Sequence, residues 1–229
     1  MIGTLVNAIT VFLGSVVGIT LKKEMPERIR TLIFQAVGLF TLSLGFIMTL
    51  KMKNPIIIII SLILASITGG IIGIEDILAK SAEKIKRKIG GSEKFVEGLI
   101  TSFITFCVGP MTVIGSIEDG LGDPSILIAK SIMDGVVSIA YSVVYGYGVI
   151  FSIIPLFIYQ GSLTLLAQHI KTLLSDALLY DLTATGGILL IGLGISLLEI
   201  RKIKVGDLLS SLLITPLLTI IIMQLNVTL

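Results

Sequence analysis

Apolar runs of about 20 residues follow one another along almost the whole chain, separated by short stretches that hold the charges. A run of that length is what an α-helix needs to cross the hydrocarbon core of a bilayer. Hydrophobic residues make up 54% of the 229 and charged residues only 14%, a composition foreign to water-soluble domains. The sequence therefore predicts an all-α, polytopic membrane helix bundle, with residues 1–229 forming a single membrane domain.

Eight runs are long enough to span. Their predicted positions are 2–21, 31–50, 55–74, 98–117, 124–147, 149–168, 183–198 and 205–225. Between the third and fourth, residues 75–97 mix charged side chains with isoleucine and leucine at helical spacing. This pattern predicts an amphipathic linker helix that lies along the cytoplasmic membrane surface.

The positive charges indicate how the spans are oriented, because short loops rich in Lys and Arg stay on the cytoplasmic side. Of the 17 positive residues, all but four fall in the first, third and seventh loops. The exceptions are Lys51, Lys53 and Lys171 in the other loops and Lys130 inside a span. We therefore predict a multi-pass protein of the cell membrane with both termini outside.

A faint internal repeat relates two of the predicted spans. Residues 37–46 of the second span resemble residues 186–195 of the seventh, with two glycines in matching positions. If 1–74 and 149–225 are repeat halves with 98–147 between them, an odd number of crossings separates them and the halves are inverted. Inverted repeats recur in secondary transporters, which bind their substrate near the bilayer midplane.

Residues 98–123 depart from the pattern of a plain spanning helix. Pro110 follows Gly109, and Gly115 comes five residues later, so the sequence predicts an interrupted backbone. Such a break needs protein or water to satisfy the freed backbone groups. A merely kinked span and a re-entrant hairpin both fit. We predict further breaks at Gly161, Gly186 and Gly187.

The predicted fifth span carries two charges, Lys130 and Asp134, at a spacing of four residues. Side chains at that spacing share one face of a helix and can pair. Asp134 lies about 15 Å into the span, too deep to reach the interface. An ionisable residue at such a depth indicates a functional site by default, although a paired charge that joins helices is the alternative.

Other polar residues within the spans are candidates for the same substrate or ion site. Each could equally be explained by helix packing. They are Asn7, Thr112, Ser116, Asp119, Ser131, Ser138, Gln160 and Thr185. Gln160 is the least easily explained by packing alone, because a central glutamine in a long apolar run is costly unless it is hydrogen-bonded.

Several functions are disfavoured by what the sequence lacks. His169 is the only histidine and Cys107 the only cysteine, so no His/Cys metal site is expected. No phosphate-binding loop and no close Ser/His/Asp set can be recognised, which predicts neither an enzyme nor a bound cofactor. A net charge of +2 spread over several loops does not favour nucleic acid as a partner.

The same segments resemble a known family of prokaryotic membrane proteins. The similar stretches are 3–7 with Gly14 and Gly18, 106–120, 130–135, 159–161 and 183–187. In combination they resemble the family called domain of unknown function 554, of the YdfK type, whose members are described as candidate transport proteins. The resemblance covers essentially the whole chain and implies a membrane transport role without naming a substrate.

The leading hypothesis is a secondary, ion-coupled transporter of a small solute or ion, with its site near the bilayer midplane. Asp134 would bind a cation, a proton or a cationic group of the substrate, and Lys130 would balance it or hold an anion. An ion or solute channel and a membrane scaffold or sensor are the alternatives. The expected partners are the lipid bilayer and the small solute or ion, and a homo-oligomer stays open.

Overall fold

A computed structural model describes residues 1–24, 26–77, 80, 94–107, 110–170 and 175–224, and the elements described there are helices. The first half of the chain contains α1 (Ile2–Glu24), α2 (Glu27–Thr49), α3 (Pro55–Ile72), α4 (Phe95–Cys107) and α5 (Pro110–Leu121). The second half contains α6 (Ser125–Tyr145), α7 (Tyr147–Phe151), α8 (Ile153–Leu165), α9 (Ala167–Ile170), α10 (Asp176–Leu197), a 3-10 helix (Val205–Leu208) and α11 (Ser211–Gln224). The predicted all-α fold is confirmed.

The outside of the bundle is apolar, and many polar side chains are buried inside it. Long aliphatic side chains of α3, such as Ile59, Ile63 and Ile67, are exposed on the surface. Many serines and threonines are buried, and Thr41 and Ser61 donate to backbone carbonyls one turn earlier in their own helices. This distribution suits a lipid solvent, in which hydroxyl groups must find partners inside the protein.

Helices α1 and α6 pack against each other in parallel, and glycines bring them close. An added Cβ on Gly3 would lie 2.6 Å from Leu127, and one on Gly14 would collide with Ser138. At the far ends, an added Cβ on Gly18 would lie 2.7 Å from Ser142. Because both partners advance in the same direction along the chain, the two helices start at the same end of the bundle.

The pair α4–α5 is bent but crosses the bundle. The axes of Phe95–Cys107 and Met111–Leu121 differ by 62°. At one end, Gly148 packs against Phe95; at the other, Gly120 packs against Thr164. The bent pair therefore runs parallel to α7–α8 from one end to the other, which favours a bent crossing over a re-entrant hairpin.

Seven single helices among the described residues are long and apolar enough to cross a membrane, and the bent pair, counted as one span, makes eight. One end of the bundle, which we call the first end, contains the starts of α1, α3, α6 and α10 and the ends of α5 and α8. Contacts that define it join Thr4 to Asp119 and Thr164, and Asn54 to Asp181. At the second end, Lys94 pairs with Glu199. Which end faces the cell exterior stays a prediction from the charges.

Helix α10 begins earlier than the sequence suggested, at Asp176 rather than near residue 183. Ser175 is its N-cap, and its Oγ accepts a hydrogen bond from the Leu178 amide at 3.2 Å. Asp181, which lies outside the predicted span, is fully buried and accepts from the Asn54 amide at 2.9 Å. Its charge therefore serves the start of α3 rather than solvent.

Four of the predicted backbone breaks are wrong. Gly115, Gly161, Gly186 and Gly187 lie inside the continuous helices α5, α8 and α10. Gly115 packs against Leu127 and Gly187 against Gly45, so these two glycines allow close helix contact instead of a break. The helix axis does bend between α4, which ends at Cys107, and α5, which begins at Pro110; Gly109 itself lies outside the described residues.

Most of the predicted linker helix over 75–97 lies outside the described residues, because 78, 79 and 81–93 are not among them.

Candidate functional site

The two charges of α6 form an ion pair inside the bundle. Lys130 Nζ donates to Asp134 Oδ2, and both side chains are more than nine-tenths buried. Asn7 Nδ2 of α1 donates to the same carboxylate oxygen at 3.1 Å. Asp134 is thus held by a cation from its own helix and an amide from the neighbouring one. The parallel packing of α1 on α6 places Asn7 at this position.

Gln160 of α8 joins the pair through Asn7. The Gln160 Oε1 atom accepts from Asn7 Nδ2 at 3.3 Å. Since Asp134 can only accept, Asn7 must present its nitrogen to both neighbours, which fixes the orientation of the two amides. Asn7 Oδ1 and Gln160 Nε2 are left buried and without a partner among the described residues. The cluster therefore keeps one acceptor and one donor unused.

A second polar layer lies one helical turn closer to the first end. Asp119 of α5 accepts from the backbone amides of Gly3 and Thr4 at 3.1 and 3.2 Å, and from Thr4 Oγ1 at 3.1 Å. Thr4 Oγ1 also lies 3.2 Å from Thr164 Oγ1 of α8. Because Thr4 gives its hydrogen to the carboxylate, Thr164 is the donor in that contact.

We call these two layers together the polar column. Its members are Thr4, Asn7, Asp119, Lys130, Asp134, Gln160 and Thr164. Thr4 and Asn7 lie one turn apart on α1, as do Gln160 and Thr164 on α8, so each helix presents one polar edge. Asp134 is about 14 Å along α6 from Ser125 at 1.5 Å per residue. The column therefore reaches from the first end to about mid-membrane.

Asp119 serves the start of α1 as a cap. The first amides of a helix have no intrahelical acceptor, and the helix dipole favours a negative charge beside them. The amino nitrogen of Met1 also lies 3.0 Å from Asp119. This carboxylate therefore joins α5 to α1 where the column meets the first end, and the ammonium of Met1 balances its charge there.

The other predicted site residues lie near the column in sequence but have different partners. Thr112 Oγ1 donates to the Phe106 carbonyl at 2.8 Å, so it spans the break between α4 and α5. Ser131 and Ser138 donate to carbonyls of their own helix. Ser116 is fully buried, and its hydroxyl has no partner among the described residues.

Thr185 is not brought to the column. Its hydroxyl donates to the Asp181 carbonyl and lies 3.0 Å from Thr215 Oγ1 of α11. It therefore belongs to the contact between α10 and α11. Thr4 and Thr164 belong to the column but were not predicted. Their spacing from Asn7 and Gln160 was the available signal, since residues three or four apart share a helix face.

Lys130 and Asp134 neutralise each other, so the layer of the column that contains them, the one farther from the first end, carries no net charge. An incoming cation or proton could replace the Lys130 ammonium at Asp134 Oδ2, while the unused atoms of Asn7 and Gln160 could bond a polar solute. Within the described part of the chain, no three His, Cys, Asp or Glu side chains are grouped so as to hold a metal ion.

Comparison with known proteins finds relatives of the chain in bacteria, one of which is named a membrane protein. Residues 2–220 match the model of the family described as "Protein of unknown function (DUF554)". The chain is 32% identical to the "Uncharacterized membrane protein YdfK" of Bacillus subtilis (strain 168) over 97% of both chains. It is 31% identical to the "Uncharacterized protein YqgA" of Escherichia coli (strain K12), over 93% of this chain and 94% of that one. No solved structure matches.

Proposed function

The chain belongs to the DUF554 family, and we propose that it is a secondary transporter that binds a small solute or ion in the polar column. In this proposal Asp134 is the site of the coupling ion. Asn7 and Gln160 contact the transported solute.

The observation that carries the proposal is the buried Lys130–Asp134 pair, with unpaired amide atoms beside it. Removing two charges from water costs several kcal/mol per ion, and an apolar pair of similar volume is often as stable or more so. In a bundle with apolar helices on every side, such a pair is therefore a poor device for stability alone. A site that must exchange charged or polar groups accounts for it better.

Coupling follows from the way the two charges share one oxygen. A proton or cation that binds Asp134 Oδ2 competes with Lys130 for it. Release of Lys130 would leave an ammonium free to hold an anion or to move toward the interface. Asn7 donates to the same oxygen and also to Gln160. A change in what Asp134 binds therefore alters the hydrogen bonds of α1 and α8. Occupancy of the ion site thereby alters the helices that surround the solute.

An inverted repeat fits the transporter proposal, and contacts between α2 and α10 support it. Aligning residues 37–46 with 186–195 equates Leu42 with Ile191 and Gly45 with Gly194. An added Cβ on Gly45 would lie 2.8 Å from Ile191, and one on Gly194 would lie 2.6 Å from Leu42. The alignment exchanges these two contacts, as a twofold axis in the membrane plane would require.

Flux through proteoliposomes tests the proposal. Purified protein is reconstituted with a pH-sensitive dye inside, and sodium, potassium, acetate and neutral amino acids are offered outside one at a time. Internal pH and tracer uptake are followed together. We expect one of these solutes to enter with a change of internal pH in the wild type.

Two isosteric variants separate the site from folding effects. Asp134→Asn should abolish the coupled pH change, because the amide cannot exchange a proton or bind a cation as a carboxylate does. Asp181→Asn neutralises an equally buried carboxylate in another part of the bundle and should keep it. Equal flux in the two variants would refute the site. Uptake that neither saturates nor changes internal pH would favour the channel.

A further inference from the structure

Two apolar grooves on the surface between α4 and α8 join into one. The first, of about 380 Å³, lies between Leu99, Phe151 and Leu209. The second, of about 480 Å³, continues to Leu166. Phe103 and Pro155 line both, so the two form one continuous groove on the outer surface of the bundle. We call it the acyl groove.

The acyl groove passes from near the second end, at Leu99 and Phe151, to Leu166 just beyond the end of α8, so its part nearest the second end matches one lipid chain in one leaflet. Along α8 it runs from Ile154 to the turn at Leu166, which is about 18 Å at 1.5 Å per residue. Half of a hydrocarbon core is about 15 Å. The groove walls are almost entirely apolar, with Tyr159 and Ser162 at the far part.

A polar cleft of about 140 Å³ adjoins the groove at the second end of the bundle. Ile100 lines both, and Gly206 of the cleft lies one turn of the 3-10 helix before Leu209 of the groove. The polar walls of the cleft are Glu75, Glu97, Ser196 and Lys202. Groove and cleft together thus form one amphipathic surface, apolar where it faces hydrocarbon and charged where the bundle ends.

Two of the polar side chains in the cleft are already used. Glu75 Oε2 accepts from the Gly206 amide at 3.0 Å, and Ser196 Oγ accepts from the Ile203 amide at 3.0 Å. Within the described residues, Glu97 and Lys202 form no hydrogen bond. The cleft therefore offers one carboxylate and one ammonium to a ligand, together with a groove for an apolar tail.

We propose that this surface binds a phospholipid with a phosphoethanolamine head group. Its primary ammonium hydrogen-bonds to Glu97, its phosphate pairs with Lys202, and one acyl chain lies in the acyl groove. A phosphoglycerol head group has no cation to offer the two glutamates. A choline head group has the charge but no N–H to donate to Glu97.

Fluorescence quenching tests this directly, because the chain contains no tryptophan. Phe103→Trp places a single fluorophore in the acyl groove, and Phe40→Trp places a matched one on the exposed surface of α2. Each protein is reconstituted with lipids brominated in the acyl chain and carrying phosphoethanolamine, phosphocholine or phosphoglycerol heads. Phe151→Trp, also in the groove, replaces Phe103→Trp if that variant does not fold.

We expect brominated phosphoethanolamine lipid to quench the groove fluorophore about threefold more effectively than either of the other two lipids. A preference of this size is what one ion pair near the surface typically contributes to binding. The α2 fluorophore should show no preference. Glu97→Gln should abolish the preference over phosphocholine, whereas Glu199→Gln, which alters an exposed carboxylate paired with Lys94, should not. Equal quenching by all three lipids, or a preference for phosphoglycerol, would overturn the proposal.

Discussion

Asn7 Nδ2 donates to Asp134 and to Gln160, and so one side-chain amide connects α1, α6 and α8 at the centre of the polar column. Both of its hydrogens are used, and its oxygen is left without a partner among the described residues. The amide nitrogen therefore has a structural role between the two helices, while the buried oxygen stays unpaired within the described part of the chain. These two roles can be separated by experiment.

Replacing Asn7 should destabilise the bundle through the groups it leaves behind. Asn7→Ala removes one donor from Asp134 and the only described donor to Gln160 Oε1. Leaving buried polar groups unpaired costs about 1–3 kcal/mol. Cys107 is fully buried, so its reaction with a thiol-reactive fluorophore on heating reports unfolding.

Thr10→Val is the control for this variant, because Thr10 Oγ1 donates only to carbonyls of its own helix. Its unfolding midpoint should stay within about 2 °C of the wild type, since substitutions away from buried networks usually change the free energy of unfolding by no more than about 0.5 kcal/mol. In an Asn7→Ala, Gln160→Ala double variant, the loss should be smaller than the sum of the single losses. Strict additivity would mean that the two amides do not interact.

The Lys130–Asp134 pair should contribute little to stability although it is needed for flux. Asp134→Leu alone leaves a buried ammonium unpaired and should cost about 3–5 kcal/mol. Adding Lys130→Met should recover most of that loss, because an apolar pair of similar volume replaces the ions. The double variant should fold and yet transport nothing. Wild-type flux in a stable double variant would show that the pair is only structural.

The ion pair and its depth could be predicted from the sequence, because a spacing of four residues on one helix fixes the contact. The convergence of Asn7 and Gln160 on Asp134 could only be suspected. It depends on how α1 and α8 pack against α6, and that packing is set by glycines such as Gly14 whose partners lie more than 100 residues away.

Glycine was the least reliable signal in the sequence. Gly115 and Gly187 suggested breaks, but each lies in a continuous helix where a side chain would strike a neighbour. A glycine that frees the backbone and one that admits another helix look the same in one sequence. Likewise, nothing in the sequence around Asp119 shows that it caps the first turn of a helix through Thr4, 115 residues earlier.

Gly14 should tolerate no side chain. An added Cβ would collide with Ser138 Oγ and with the Gly135 carbonyl, and the backbone of α6 cannot retreat without breaking the contact. Overpacking of this kind costs about 1–3 kcal/mol or more. Gly14→Ala should therefore unfold at a lower temperature in the Cys107 assay. Gly70→Ala is the control, because an added Cβ there meets nothing within 4 Å. Equal midpoints would contradict the close packing.

The cleft at the second end should make stability depend on pH. Burial is the main cause that raises the pKa of Glu75 above its ordinary value of 4.5, and nearby Asp207 adds to it. A raised folded-state pKa means that the carboxyl is easier to bury when protonated. The contribution of protonated Glu75 to the free energy of unfolding is fully present below pH 4.5, and it is lost as the pH rises through the folded-state pKa.

Glu75→Gln should remove this part of the pH dependence, while Asp76→Asn, which alters the exposed neighbour, should retain it. The measurement is the unfolding midpoint of each variant from about pH 4 to pH 7, the range in which a raised Glu pKa titrates. The difference between wild type and Glu75→Gln should grow as the pH rises. A difference that shrinks over the same range would mean that the carboxylate is favoured in the folded protein.

The crossing number and the orientation can be tested together by cysteine labelling in a Cys107→Ser background. Lys51 adjoins the start of α3, where Asp181 accepts from the Lys53 amide, and so it belongs to the first end. Arg201 follows α10 at the second end, beside the Lys94–Glu199 pair.

Since the positive loops belong at the cytoplasm, Lys51→Cys should react with an impermeant maleimide in intact cells. Arg201→Cys should react only after permeabilisation. The reverse pattern would invert the orientation and keep eight crossings, whereas labelling of both from the same side would place the two ends of the bundle together and refute the crossing of α4–α5.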